Sequence, residues 1–303
     1  MTKHLFTVVG PTAIGKTALS IKIAQYLNCD IISCDSRQFY KEMCIGTAVP
    51  DTDELTAAQH HFIQNRSIFD DYSVGAFERD ALLKIADLHT INPHIVMVGG
   101  SGLYVNAVLN GLDYFPDVAP EIRNQLNSNL EEKGIENLQE QLLTLDPESY
   151  QNIALDNPHR LIRALEVCIG SGKTYSSFKN KPKAPRNFNS VQIGLRSERQ
   201  LMYDRINQRV DIMISNGLLE EARALYEHKS LNALQTVGYR ELFMYFDGSI
   251  SLDFAIEEIK KNTRRFAKRQ ITWFKKDPAI TWFDYDTDFE EVRLFIDKKL
   301  SKL

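Results

Sequence analysis

Gly10-Pro11-Thr12-Ala13-Ile14-Gly15-Lys16-Thr17 decides how the rest of the chain is read. Two glycines separated by four residues, then lysine and threonine, fit G-x-x-x-x-G-K-[ST], a loop whose backbone N–H groups surround a phosphate. Leu5-Phe-Thr-Val-Val9 enters it as a buried-strand run, and Ala18 to Leu27 leaves it with apolar residues at helical spacing. That order sets the positive end of a helix beside the anion. Lys16 can reach phosphate oxygens, and the Thr17 hydroxyl suits a Mg²⁺ ion bridging them. Residues 10–17 are therefore expected to bind a diphosphate or the phosphates of a nucleotide.

Working outward, Ile31 to Cys34 reads as a second strand ending at Asp35, and a helical stretch around Phe77 to His89 precedes a third strand, Ile95 to Val98. The third strand breaks into Gly99-Gly100-Ser101-Gly102. Strands alternating with helices imply parallel strands and crossovers, hence an α/β fold with a doubly wound, P-loop NTPase-like parallel sheet. Tyr114 to Pro120 is turn-rich, Glu121 to Ile169 is helical in period, and Lys179 to Ser190 is a Pro- and Lys-rich linker. Val191 to Leu195 is a further strand, followed by helices over about 200–228 and 252–276. The expected organisation is a core of 1–112 and 191–303 carrying a helical insertion domain at 113–190. Gly170-Ser-Gly-Lys-Thr174 imitates the phosphate loop, but Val167 stands where the first glycine is needed and a helix precedes it. Gly170 is expected to stop that helix.

The chain has 303 residues, 43% hydrophobic and 25% charged, enough for one large or two modest domains. No apolar stretch approaches the length of a membrane span, and the N-terminus lacks the pattern of a secretory signal. Cys29, Cys34, Cys44 and Cys168 form no CxxC pair, so reduced thiols in a cytoplasmic protein are expected; the protein is also expected to be a monomer. A net charge of −4 argues against bulk attraction to nucleic acid and directs attention to local basic zones. Lys260, Lys261, Arg264, Arg265, Lys268 and Arg269 repeat as doublets every four residues along one predicted helix, with Lys275 and Lys276 beyond them. Such a stripe can track a phosphate backbone, while Ile259, Phe266, Ile271 and Phe274 take the buried side. Trp273, like Phe266, is expected in the core.

The third strand ends in two glycines and supplies no acid for Mg²⁺, whereas the second ends at Asp35. Asp35 is either a metal-side carboxylate or a general base, because both roles need a carboxylate at the C-terminal edge of the sheet. Asn180-Lys181-Pro182-Lys183 lacks the acid of a guanine-reading motif, which argues against a GTPase.

Together these segments resemble the bacterial tRNA dimethylallyltransferase (tRNA isopentenyltransferase) family over nearly the whole chain. The likeness is carried by residues 10–17, Ile-Ile-Ser-Cys-Asp-Ser-Arg-Gln at 31–38, Ile-Gly-Thr-Ala at 45–48 and Val-Gly-Gly-Ser-Gly-Leu-Tyr at 98–104. It continues in Arg-Ala-Leu-Glu-Val at 163–167, Arg-Ile-Asn-Gln-Arg at 205–209, Val-Gly-Tyr-Arg at 237–240 and Ala-Lys-Arg-Gln-Ile-Thr-Trp at 267–273. The resemblance implies transfer of a dimethylallyl group from dimethylallyl diphosphate, with Mg²⁺, to the adenosine 3′ of the anticodon in the tRNA anticodon stem-loop. It makes Asp35 the general base, Thr12 and Lys16 prominent in the diphosphate cradle, and Arg209 a second cation on the diphosphate. It also implies that Asp35, Ser36, Arg37, Gln38, Ser101, Arg123, His159, Arg160, Leu161, Ile162, Arg163, Gln235, Thr236, Val237, Gly238, Tyr239 and Arg240 touch tRNA. Ser101 stands where the family usually has threonine, Cys44 and Val49 replace a common aspartate and lysine, and Asp156-Asn157 inverts a common Asn-Asp.

Overall fold

A computed structural model describes residues 2–301. The chain divides into two compact units, one running to Asn110 and resuming at Arg186, the other Gly111–Pro185.

The first unit opens with β1 (His4–Val9), α1 (Lys16–Leu27), β2 (Ile31–Ser33), α2 (Thr52–Ala57), β3 (His60–His61), α3 (Val74–Leu88), β4 (His94–Gly99) and α4 (Gly102–Asn110). The second unit contributes α5 (Pro120–Leu145), α6 (Pro147–Asn152) and α7 (Pro158–Ser171). The first resumes with β5 (Asn189–Arg196), α8 (Arg199–Ser215), α9 (Leu218–Ala224), α10 (Tyr239–Phe246), α11 (Leu252–Phe274), β6 (Ile280–Asp284) and α12 (Phe289–Leu300).

Six parallel strands form one sheet in the order β3-β2-β4-β1-β5-β6. Alternate residues of β1 and β4 serve opposite faces. Leu5, Val9, Ile95 and Met97 enter one hydrophobic cluster, while Phe6, Val8, Val96 and Val98 enter another. Burial on both faces explains why these strands read as unbroken apolar runs, and each such side chain contributes roughly 1.5–3 kcal/mol. A third cluster, with Val210, Leu218, Tyr239, Leu242 and Ile259, ties α8–α11 together.

The 111–185 unit is helical. Each helix starts on a proline, whose missing N–H costs nothing at a first helical position. The 120–145 segment is broken by non-helical Gly134. Asn157 caps α7 through Arg160 N–H, so the inverted Asp156-Asn157 pair still delivers a competent cap. One expectation is corrected here: Gly170 does not end α7. The helix continues through it to Gly172, which adopts φ 68. A side chain at Gly170 would meet Val118 at 2.6 Å, so this glycine admits a neighbour rather than a turn.

Candidate active site

Val9 pairs with Gly99 and Ser33 with Val98. The loop after β1, Asp35 after β2 and the turn after β4 therefore converge at the carboxyl edge of the sheet, where open α/β sheets bind ligands. Gly15 takes φ 104 immediately before α1, a conformation that a side chain would strain. Lys16 Nζ donates to Pro11 O at 2.7 Å. Burial lowers the Lys16 ammonium to about 8, opposed by the charge of Asp35 and reinforced by that of Arg209. Arg209, on α8, is also lowered by burial, with Asp35 and Glu54 opposing. Two desolvated cations facing one carboxylate gain from a bound anion, which restores the charge compensation that water has stopped supplying.

Two cavities meet at this edge. The one over the phosphate loop has about 520 Å³ and includes Lys16, Thr17, Ser33, Asp51, Glu54 and Arg205 in its lining. The other has about 390 Å³ and includes Ser36, Arg37, Ser101, Arg240, Phe266 and Arg269, above an apolar floor containing Ile206, Val210 and Met213. Thr12, Asp35, Thr47 and Arg209 line both. Asp35 is held by its neighbours: its carboxylate accepts Arg37 N–H at 3.0 Å. Ser101 Oγ accepts Ser36 N–H at 3.1 Å and donates to Ser36 Oγ at 3.1 Å, so serine at 101 keeps a hydroxyl where it is used. Arg37 donates to the carbonyls of Asn232 and Ala233, securing the segment that leads to Gln235.

The residues expected to touch tRNA separate into distinct environments. Ser36, Arg37, Ser101, Gln235, Thr236, Val237, Gly238 and Arg240 line the 390 Å³ cavity. Gln38 lines the phosphate-side cavity instead, and its amide donates to the carbonyls of Thr47 and Ala48. Tyr239 is fully buried and donates its hydroxyl to Glu221 at 2.6 Å. The same carboxylate accepts the backbone N–H groups of Cys44, Ile45 and Gly46 at 2.8–2.9 Å, so Tyr239 supports the 44–47 wall rather than offering a contact surface. Because those bonds come from backbone, the identity of residue 44 matters little to them.

In the 111–185 unit, His159 and Arg160 are exposed, while Arg123 and Arg163 both bind the buried Glu166, Arg123 through two bonds of 2.6 and 3.0 Å. Leu161 and Ile162 are buried in that unit's core, so their side chains shape α7 and are not contact groups. On α11, Lys260 is paired with Asp211 and Glu257, and Lys261 with Glu258. Arg265, Lys268, Arg269, Lys275 and Lys276 remain exposed. Phe266 and Trp273 are not core residues. They are 39% and 46% exposed, and Phe266 forms part of the cavity wall.

Sequence reading assigned no part to Arg205, Glu221 or Gln270. Arg205 Nε donates to Ala13 O at 2.8 Å, and Gln270 accepts Thr12 N–H at 2.9 Å. The matched segments at 205–209 and 267–273 contain two of the three, but their partners lie far away in the sequence.

Sheet, loop and paired cavities define a phosphate-loop α/β protein in which two binding spaces share one carboxylate. The chain belongs to the IPP transferase family, whose model matches residues 38–277. It is 60% identical to the tRNA dimethylallyltransferase of Flavobacterium johnsoniae, over 98% of each chain. It is likewise 60% identical to that of Christiangramia forsetii, over 99% of this chain and 100% of the relative. Among solved structures, the full-length tRNA isopentenylpyrophosphate transferase of Bacillus halodurans superposes with a TM-score of 0.74 at 37% identity, covering 99% of this chain and 98% of that one. A eukaryotic dimethylallyltransferase acting on tRNA superposes with a TM-score of 0.82 at 25% identity, covering 99% and 80%.

Proposed function

We propose that this protein is a tRNA dimethylallyltransferase, moving the dimethylallyl group of dimethylallyl diphosphate to N6 of adenosine 37, beside the anticodon, and releasing diphosphate. The observation that carries this reading is the shared wall: Asp35 and Thr12 face both the phosphate-loop cavity and its 390 Å³ neighbour. A group transfer needs the diphosphate in one space and the acceptor in the other, with a base at their junction.

The exocyclic amine of adenine is a weak nucleophile because its lone pair is delocalised into the ring. The base must leave its stack to reach an enclosed site. As the C–N bond forms at the allylic carbon, the C–O bond to diphosphate breaks and its electron pair leaves with the diphosphate. Asp35 takes the amine proton. Lys16, Arg209 and the loop N–H groups stabilise the charge gathering on the leaving group. The oxygen groups lining the loop cavity, the Thr17 and Ser33 hydroxyls with the carboxylates of Asp51 and Glu54, suit Mg²⁺. Thr17 would hold the ion beside the diphosphate. When bound, Mg²⁺ supplies further neutralisation of the diphosphate.

Among the described residues no helix is long and apolar enough to cross a membrane, and a tRNA substrate fits an enzyme of the cytoplasm; we take it to act as a monomer. The test combines the protein, Mg²⁺, labelled dimethylallyl diphosphate and unmodified tRNA, with label in the RNA as the expected result. Transfer of the γ-phosphate from ATP to a small molecule would replace this reading with a kinase. Binding of tRNA without turnover would replace it with a regulator.

A further inference from the structure

Gln270 is the polar member of an otherwise apolar line on α11. The buried residues of that helix are Ala255, Ile259, Ala267, Gln270 and Phe274. Gln270 is 7% exposed, and both ends of its amide are engaged. Nε2 donates to Gly100 O at 2.9 Å, and Oε1 accepts Thr12 N–H at 2.9 Å. The fit is close: a Cβ at Gly100 would lie 2.2 Å from Gln270 Nε2, with its next contacts no nearer than 3.4 Å.

The Thr12 N–H belongs to a planar trans peptide whose carbonyl is that of Pro11, and the two groups of such a peptide point in opposite directions. Pro11 O is the acceptor of the Lys16 ammonium. Holding the N–H on the helix side therefore holds the carbonyl on the lysine side. We propose that Gln270 is a positioning residue of the diphosphate cradle, locking the Pro11–Thr12 peptide so that its carbonyl orients the Lys16 ammonium. The lock has a cost and a purpose. It withdraws one backbone N–H from the anion, and in return it fixes the cation that the anion meets. Without the Gln270 acceptor, a part-buried N–H loses its partner, and the peptide is driven to rotate toward solvent or ligand. Rotation carries Pro11 O away from Lys16. Arg205, on the Ala13 carbonyl, braces the Ala13–Ile14 peptide, the next but one, and cannot replace an acceptor at Thr12.

This inference rests on the loop being the diphosphate site. Its test is calorimetric titration of the full chain with inorganic diphosphate and Mg²⁺, with tRNA affinity and melting temperature measured in parallel. Gln270→Met keeps length and apolar packing but removes both hydrogen bonds. Gly100→Ala displaces the amide without altering Gln270. Each is expected to weaken diphosphate binding by about tenfold or more and to raise KM for dimethylallyl diphosphate, while tRNA affinity stays within about threefold. In Gln270→Ala the added methyl of Gly100→Ala has room, so the double variant should bind no worse than Gln270→Ala alone. Unchanged diphosphate binding in Gln270→Met, multiplying losses in the double variant, or a parallel loss of tRNA affinity and melting temperature would overturn the proposal. If every Gln270 variant fails to fold, Gly100→Ala decides alone, and normal diphosphate binding by it overturns the proposal as well. A wild-type protein that binds no diphosphate would overturn both this inference and the reading of the loop.

Discussion

The two cavities share four residues yet are built from different materials. The phosphate side wraps the 12–18 loop, with Lys16 as its own cation desolvated by burial and Arg209, likewise desolvated, shared with its neighbour. Its neighbour is assembled from the 35–37, 46–47, 235–240 and 263–269 segments around an apolar floor, and its cations, such as Arg240 and Arg269, are exposed. Buried charge binds strongly, is insensitive to salt and is sensitive to pH. Exposed charge behaves in the opposite way. One substrate should therefore be held by a few fixed groups and the other by many replaceable ones.

The largest effect is expected at the wall common to both. Asp35→Ala should reduce turnover by on the order of 10²–10⁴-fold while leaving the affinities for tRNA and for diphosphate within a few-fold; near-normal prenyl transfer would remove Asp35 as the base. Next, Lys16→Met should weaken diphosphate binding by about 10–100-fold and leave tRNA binding intact, because the charge serves one cavity only. The pH dependence follows with the same sign. Lys16 is lowered to about 8 by burial, so in the unliganded protein its charge is lost as pH rises through that value. Diphosphate affinity should fall on the alkaline side while tRNA affinity stays flat, and equal alkaline losses would erase the contrast between the cavities.

Smaller effects belong to the exposed cations. Lys268→Ala should weaken tRNA binding by a few-fold and reduce the salt slope by about one. Lys260→Ala should do less, because Lys260 is already occupied by Asp211 and Glu257. A filter-binding series across salt concentrations compares them directly. The least effect on binding should come from the opposite end of the sheet, where burial lowers the pKa values of His4, His89 and His94. Below about pH 6.5 the unfolded chain takes up protons that these rings resist, so stability is full above that pH and falls as pH drops. Thermal melts should show this fall, and His94→Asn should make it shallower, by at most about 1.4 kcal/mol per pH unit for one proton.

The phosphate loop was legible because its residues are consecutive, with an unbroken apolar strand before it and a helically spaced segment after it. Asp35 stood out for the same reason, being the first polar group after a buried strand. The other cavity was not legible from spacing, since Ser101 meets Ser36 and Arg37 meets Ala233 only after folding. On α11, choosing inward positions by hydrophobicity selected Phe266 and passed over Gln270, because a buried amide is revealed by its partners and not by its polarity. Tyr239 misled in the opposite sense: it lies in a matched segment, but its ring supports the wall from behind. The edge strand β6 was missed because Ile-Thr-Trp-Phe-Asp at 280–284 is short and only its first residue is buried.

The hydrogen bond from Thr12 to Gln270 also bears on how the protein is made. It joins residues 258 apart in sequence, and β1 receives its second neighbour only when β5, from Asn189, has been synthesised. A nascent chain that has already displayed its entire glycine-rich motif still lacks the helix that braces it. Such long-range closure slows folding and leaves the central strand edge open to wrong partners during translation. Shortening the gene from its 3′ end past codon 270 should accordingly inactivate a site encoded in the first twenty.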